Sequence, residues 1–188
     1  MRITGGKYLR RTVACPEGEI RPAMDRMRES LFQILGHVEG LSFLDLFSGS
    51  GVVGIEAASR GCEPVVIVEK DSRKKKTILH NIAMVESIIK PVFFFFLRFI
   101  EQTTEQFDLI FVDPPFRYKY KAELLERISG KNLLAPGGLL MIHYPKKEEL
   151  PSRFQSEKRT LEKRDTRKYG GSFLSFYTAA EIKPDGPA

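Results

Sequence analysis

Apolar residues in this chain gather into short runs that alternate with stretches of helical periodicity, and that alternation predicts the fold. Ser42–Phe47 is a short apolar run and Val52–Ser59 is apolar at helical spacing, so Ser48-Gly49-Ser50-Gly51 reads as a strand-to-helix turn. Upstream, Asp25 stands as an N-cap ahead of Met27, Leu31, Ile34 and Leu35, an apolar helical stripe within Ile20–Val38. Pro64–Glu69 is almost wholly apolar, as a parallel strand buried on both faces should be, and Asp71 caps a helix through Val85. Pro91–Phe99, with four consecutive phenylalanines, predicts a third buried strand. Gln106–Val112 predicts a fourth, ending in Asp113-Pro114-Pro115-Phe116. Ala122–Ile128 is helical, Pro136-Gly137-Gly138 is a turn, and Leu139–His143 is a fifth strand. Gln155–Leu161 and Phe173–Ala179 follow with no helix between them. The basic stretch from Arg164 to Gly171 joins them as a loop, which predicts an antiparallel hairpin at the sheet edge.

The whole predicts an α/β fold: a doubly wound, mainly parallel seven-stranded sheet with an antiparallel edge hairpin and a small N-terminal extension. A chain of 188 residues suits one domain with a small appendage. The expected organisation is a basic extension and lead-in helix over 1–38, a main domain over 39–180 and a disordered tail over 181–188.

Charge adds a partner class. Lys and Arg number 30 against 24 Asp and Glu, a net charge of +6, which suits a polyanion as well as a plain solvated surface. The amino-terminal Lys7, Arg10 and Arg11 surround Tyr8, a mixture that follows a phosphate backbone and stacks a base. Cys15 and Cys62 lie far apart with no histidine at ligand spacing, so no metal site is implied. MRITGGKYLRR has no apolar signal core and no stretch approaches membrane-span length. A soluble, cytoplasmic monomer is expected.

Candidate chemistry starts at the glycines. They allow close approach of backbone to a ligand, and the first amides of the following helix are unpaired. Gly49-x-Gly51-x-x-Gly54 fits the dinucleotide fingerprint, with Glu69 about 20 residues on to accept from ribose hydroxyls. Asp45, however, ends the strand just before the glycines. A carboxylate there works against a pyrophosphate and suits a ligand carrying a cation. S-adenosylmethionine (SAM) offers an ammonium for Asp45 and ribose hydroxyls for Glu69, so Asp45 favours SAM over a nicotinamide dinucleotide.

Asp113-Pro114-Pro115-Phe116 ends another strand, and ligands of open α/β sheets sit at the carboxyl ends of strands. Two prolines make a rigid turn without N–H donors, whose carbonyls are available to accept. Asp113 adds a carboxylate, and Phe116 a flat apolar face. Acceptors beside a stacking ring suit a planar ligand with an –NH₂ group, such as a nucleobase. Holding the two amine hydrogens directs the nitrogen lone pair at a methyl donor, and Asp113 stabilises the developing positive charge. No strong base is needed, so His37, His80 and His143 are read as structural or surface residues.

At these residues the sequence resembles class I SAM-dependent methyltransferases of the (D/N)PP(Y/F) amino-methylating group. Gly5-Gly6-Lys7, Arg21-Pro22, Asp25-Arg26-x-Arg28-Glu29-Ser30-Leu31-Phe32, Asp45 to Gly51, Asp113 to Phe116 and Arg167-Lys168-Tyr169-Gly170 together resemble the RsmD family. These are bacterial enzymes that methylate the exocyclic amine (N2) of a guanine in 16S ribosomal RNA. The resemblance implies that Asp45, Ser48, Gly49 and Gly51 hold the methionine part of SAM and Glu69 its ribose, with Phe47 and Lys70 also at the cofactor site. It implies that Asp113, Pro114 and Phe116 hold the guanine. Lys7, Arg10, Arg11, Arg21 and Arg26, with Pro115, Lys168 and Tyr169 near the entrance, would meet ribosomal RNA, free or within the small subunit. Phe93–Phe96 departs from the family, which usually carries an Asp or Asn after the third strand. Related alternatives are the amines of DNA adenine or cytosine and a protein glutamine, and a dinucleotide-dependent oxidoreductase is the alternative outside this chemistry.

Overall fold

The computed structural model describes residues 1–15, 22–156 and 159–181. The expected disordered tail after residue 181, and Arg21, lie outside them. The described residues contain eight strands and five α-helices in the alternating order of an α/β fold, and the chain divides into two compact units, Met1–Phe99 and Ile100–Ala188.

In the first unit α1 (Pro22–Leu35) leads to β1 (Phe43–Leu46), α2 (Val52–Ser59), β2 (Val65–Val68), a short 3-10 turn (Ser72–Lys74), α3 (Lys75–Ile82) and β3 (Ile89–Val92). The strands are parallel in the order β3-β2-β1, with Phe43 beside Val65 and Val65 beside Ile89. Every residue of β1, β2 and α2 is buried, which is why β2 is wholly apolar and why the other two are apolar apart from Asp45 in β1 and Glu56 and Ser59 in α2, rather than amphipathic.

The amino-terminal segment packs rather than trails. Ile3, Tyr8 and Val13 are core residues. Tyr8 therefore does not stack a base: its hydroxyl oxygen accepts from the amides of Glu86 and Ser87 at 3.0 and 2.9 Å. Lys7 N–H donates to the Ser59 carbonyl at 2.6 Å, and at Gly6, with φ +75°, a Cβ would sit 1.8 Å from the same carbonyl. Only glycine fits there. Glu56, fully buried in α2, accepts from the Thr4 amide and hydroxyl, and pairs with Arg60 at 3.0 Å and Arg28 at 3.4 Å. The extension is thus tied to the helix that follows the glycine turn.

The polyphenylalanine stretch corrects the expected third strand. β3 stops at Val92, and Phe96 opens helix α4 (Phe96–Gln102). Phe96, Phe99 and Ile100 are buried, while Phe94 and Phe95 are 38% and 45% exposed. The i, i+3, i+4 burial is helical, a period concealed by the run of identical residues.

The second unit holds β4 (Phe107–Val112), α5 (Lys121–Gly130), β5 (Leu134–Pro145), β6 (Arg153–Gln155), β7 (Arg159–Tyr169) and β8 (Ser172–Glu181), in the order β4-β5-β8-β7-β6. β4 and β5 are parallel, and the remaining pairs are antiparallel. The hairpin is therefore real but longer than expected. Asp165 to Tyr169, read as loop, pair along β8 beyond an irregularity at Arg164, leaving Gly170-Gly171 as the turn. β6 supplies the eighth strand, three residues too short to stand out in the sequence.

Replacing Glu56 with Ala leaves Arg28, whose side chain is 2% exposed, with the half-exposed Asp25 carboxylate at 3.1 Å as its remaining ionic partner among the described residues, and it removes the acceptor for Thr4 and Arg60. Loss of one partner from a buried pair costs about 3–5 kcal/mol. Urea unfolding of Glu56→Ala is expected to show a loss of that size, and a loss below about 1 kcal/mol would show that the ionic cluster does not hold the extension.

Candidate active site

In the first unit the chain leaves β1 through Phe47, whose φ of +65° is a left-handed conformation unusual for a bulky residue, the kind of strain that collects at ligand sites. Phe47 packs against Phe96 at 4.2 Å between ring centroids, and Phe96 against Phe95 at 4.6 Å. Lys70, exposed at the end of β2, lies over the Phe95 ring at 5.5 Å. An aromatic wall thus adjoins the turn where an Asp or Asn was the family expectation.

Two buried carboxylates fix the turn itself. Asp45 Oδ2 accepts from the Gly54 amide at 3.1 Å. Glu69 Oε2 accepts from the Gly49 amide at 2.9 Å and from Lys74 Nζ at 3.1 Å, and its Oε1 accepts from the Asp71 amide at 2.9 Å. Gly54 is the packing glycine of the set: a Cβ there would lie 2.4 Å from Ile67 Cγ2. Gly49 and Gly51 take φ of +61° and +77°, and beside Gly49 there is open space. Ser48 Oγ is buried and has no hydrogen-bond partner among the described residues. An orphaned hydroxyl beside open space, with an anionic group beneath, fits a polar cationic ligand such as the methionine end of SAM.

In the second unit Asp113 closes β4 with its side chain 18% exposed. Pro114 is buried, Pro115 exposed and Phe116 half-buried. Not all the turn carbonyls are available as expected: the Tyr118 amide donates to Pro115 at 2.7 Å, and Lys121 Nζ donates to Phe116 at 3.2 Å and also to Tyr118. Lys121, itself buried, pairs with Glu148 at 2.8 Å, so an ammonium clamps the loop behind Phe116.

Sequence reasoning, which read His143 as a structural or surface residue, did not place it beside Asp113. His143 is buried at the end of β5, with Nδ1 2.8 Å from Asp113 Oδ1 and Nε2 2.8 Å from Ser172 Oγ. Its ring meets Phe116 edge-on at 5.2 Å. The available signal was positional: Val112 pairs with Ile142, so the next residues, Asp113 and His143, become neighbours. His37 and His80 are exposed, as read.

Of the basic candidates, Lys7, Arg10, Arg11 and Arg26 are exposed in the first unit. Glu86, 2.6 Å from Lys7, raises the lysine's pKa above its ordinary value, and Arg11 donates to the Met84 carbonyl. Lys168 is exposed and Tyr169 half-buried at the end of β7. Among the described residues no helix is long and apolar enough to cross a membrane, and no group of three or more metal-ligating side chains gathers.

This fold, with a glycine turn after β1 and an acid-Pro-Pro-aromatic turn after β4, is that of a class I SAM-dependent methyltransferase. The family profile described as Conserved hypothetical protein 95 matches residues 1–178, and the chain belongs to that family, the RsmD family. Ribosomal RNA small subunit methyltransferase D of Escherichia coli K12 is 30% identical over 81% of this chain and 78% of its own length. The solved structure of the Escherichia coli protein yhhF is 26% identical with a TM-score of 0.83, covering 97% of this chain and 99% of that one. A more distant crystal structure, 17% identical at a TM-score of 0.65 over 91% of this chain and 52% of that one, shares the fold and contains S-adenosylhomocysteine.

Asp45→Asn keeps the acceptor for Gly54 and removes the charge. It is expected to weaken SAM binding about tenfold by calorimetry with an unchanged melting midpoint. Unchanged affinity would show that the carboxylate only caps the turn.

Proposed function

We propose that this chain methylates ribosomal RNA, transferring the SAM methyl group to N2 of a guanine in the small subunit. Membership of the RsmD family and the name of its Escherichia coli relative support the rRNA substrate. The choice of an exocyclic amine rests on one observation: Asp113 presents a partly exposed carboxylate at a strand end, immediately before a rigid Pro-Pro-Phe turn.

SAM supplies a methyl group made electrophilic by its sulfonium. For the first unit, Asp45 takes the SAM ammonium, Ser48 and the Gly49–Gly51 backbone the methionine carboxylate, Glu69 the ribose, and Phe47 and Lys70 border them. For the second, Asp113 and the Pro114 carbonyl accept the two amine hydrogens of guanine, and Phe116 stacks on the base. The amine is a poor nucleophile because its lone pair delocalises into the ring, so two acceptors that favour pyramidal nitrogen raise its reactivity. The N–C bond forms as the C–S bond breaks, S-adenosylhomocysteine leaves, and the extra proton on nitrogen passes to Asp113 or to water. Alignment and the preorganised carboxylate provide the acceleration. A guanine must leave its stack to enter such a site. Lys7, Arg10, Arg11, Arg21, Arg26 and Lys168 would grip the surrounding RNA by phosphate contacts, with Pro115 and Tyr169 bordering the entrance.

The test is tritiated SAM with ribosomal subunits from cells lacking the activity. Label is expected in small-subunit RNA and lost at least a hundredfold with Asp113→Ala, whose SAM affinity stays intact. Label confined to large-subunit RNA or to protein would contradict the proposal.

A further inference from the structure

The proposed chemistry asks Asp113 to aim a carboxylate oxygen at an amine, yet an aspartate at a strand end has two rotatable bonds and water within reach. What fixes it comes from two other strands of the second unit. His143, at the end of β5, meets Asp113 Oδ1 through Nδ1 at 2.8 Å. Ser172, the first residue of β8, meets the opposite ring nitrogen at 2.8 Å, and its hydroxyl lies 2.9 Å from the Tyr169 carbonyl across the hairpin turn. His143 is 4% exposed and Ser172 5%, so water does not compete for these bonds.

Proton counting restricts what this chain can do. Ser172 has one hydroxyl hydrogen and two acceptors in reach. If it donates to Nε2, His143 carries its proton on Nδ1 and donates to Asp113. If it donates to Tyr169, Nε2 must carry a proton toward Ser172, and the 2.8 Å contact at Nδ1 then requires a second proton shared with the carboxylate. In both arrangements Asp113 Oδ1 is engaged, which leaves Oδ2 for a substrate hydrogen. The nitrogen that holds the proton is set by what the other nitrogen meets.

We infer that His143 and Ser172 are positioning residues for methyl transfer: they select the carboxylate oxygen that Asp113 offers and tie that choice to the hairpin turn beside Lys168 and Tyr169. This rests on the reading of Asp113 as the amine acceptor. The same His143 ring abuts Phe116, so one buried imidazole sets both the carboxylate and the stacking ring.

The experiment is methyl transfer to small-subunit ribosomal RNA at saturating SAM and RNA, with SAM affinity, RNA affinity and melting midpoint measured for each variant. A misplaced reacting group costs on the order of a hundredfold in rate. His143→Gln, whose amide reaches toward Ser172, is expected to lower kcat on that order while leaving both affinities within about twofold. His143→Asn places an amide nitrogen near the position of Nδ1 and is expected to recover about tenfold of the loss. Ser172→Ala removes a single oxygen, should lower kcat about tenfold, and should add nothing in combination with His143→Gln, since it acts through the ring. Wild-type kcat in both His143→Gln and Ser172→Ala, with Asp113→Ala inactive, overturns this inference and leaves the reading of Asp113 standing. Full activity in Asp113→Ala would remove both.

Discussion

Two carboxylates anchored on backbone amides, Asp45 on Gly54 and Glu69 on Gly49, hold the strand-to-helix turn of the first unit in shape. Each is almost fully buried, a costly state for a carboxylate unless donors surround it. Here the donors are the amides that the turn leaves without helical partners. The same groups thus satisfy the fold and border the open space at Gly49, where the buried Ser48 hydroxyl has no hydrogen-bond partner among the described residues. Wholly buried α2 carries that arrangement, and Glu56 on the same helix fastens the amino-terminal segment.

The second unit uses the same economy of means at Asp113. Its carboxylate is held by a side chain rather than by amides, because the two prolines that follow have removed the donors. Lys121 performs the matching task behind Phe116, with its ammonium shared between two carbonyls and Glu148. Buried polar contacts thus tie the end of β4 to β5 through His143, and the loop that follows to α5 through Lys121.

What was legible in the sequence was local. The glycine turn, the acid before it and the Asp-Pro-Pro-Phe turn are each written within a few residues, and a parallel strand buried on both faces announces itself by being apolar throughout. What was not legible depends on separation in sequence or on period. Tyr8 looked like a surface aromatic among basic residues, since its partners, Glu86 and Ser87, lie some eighty positions away. His143 gained its contact with Asp113 only from the register of β5 against β4. The phenylalanine run concealed a helical period because every position was apolar, and β7 looked like a loop because its exposed face is charged.

The most direct measurement is the identity of the methylated nucleoside. RNA treated with the protein and SAM, digested and resolved by mass spectrometry against synthetic standards, is expected to contain N2-methylguanosine as the new product. A methyl group on a ring carbon, on a ribose hydroxyl or on an adenine would contradict the central claim that Asp113 holds the exocyclic amine of a guanine.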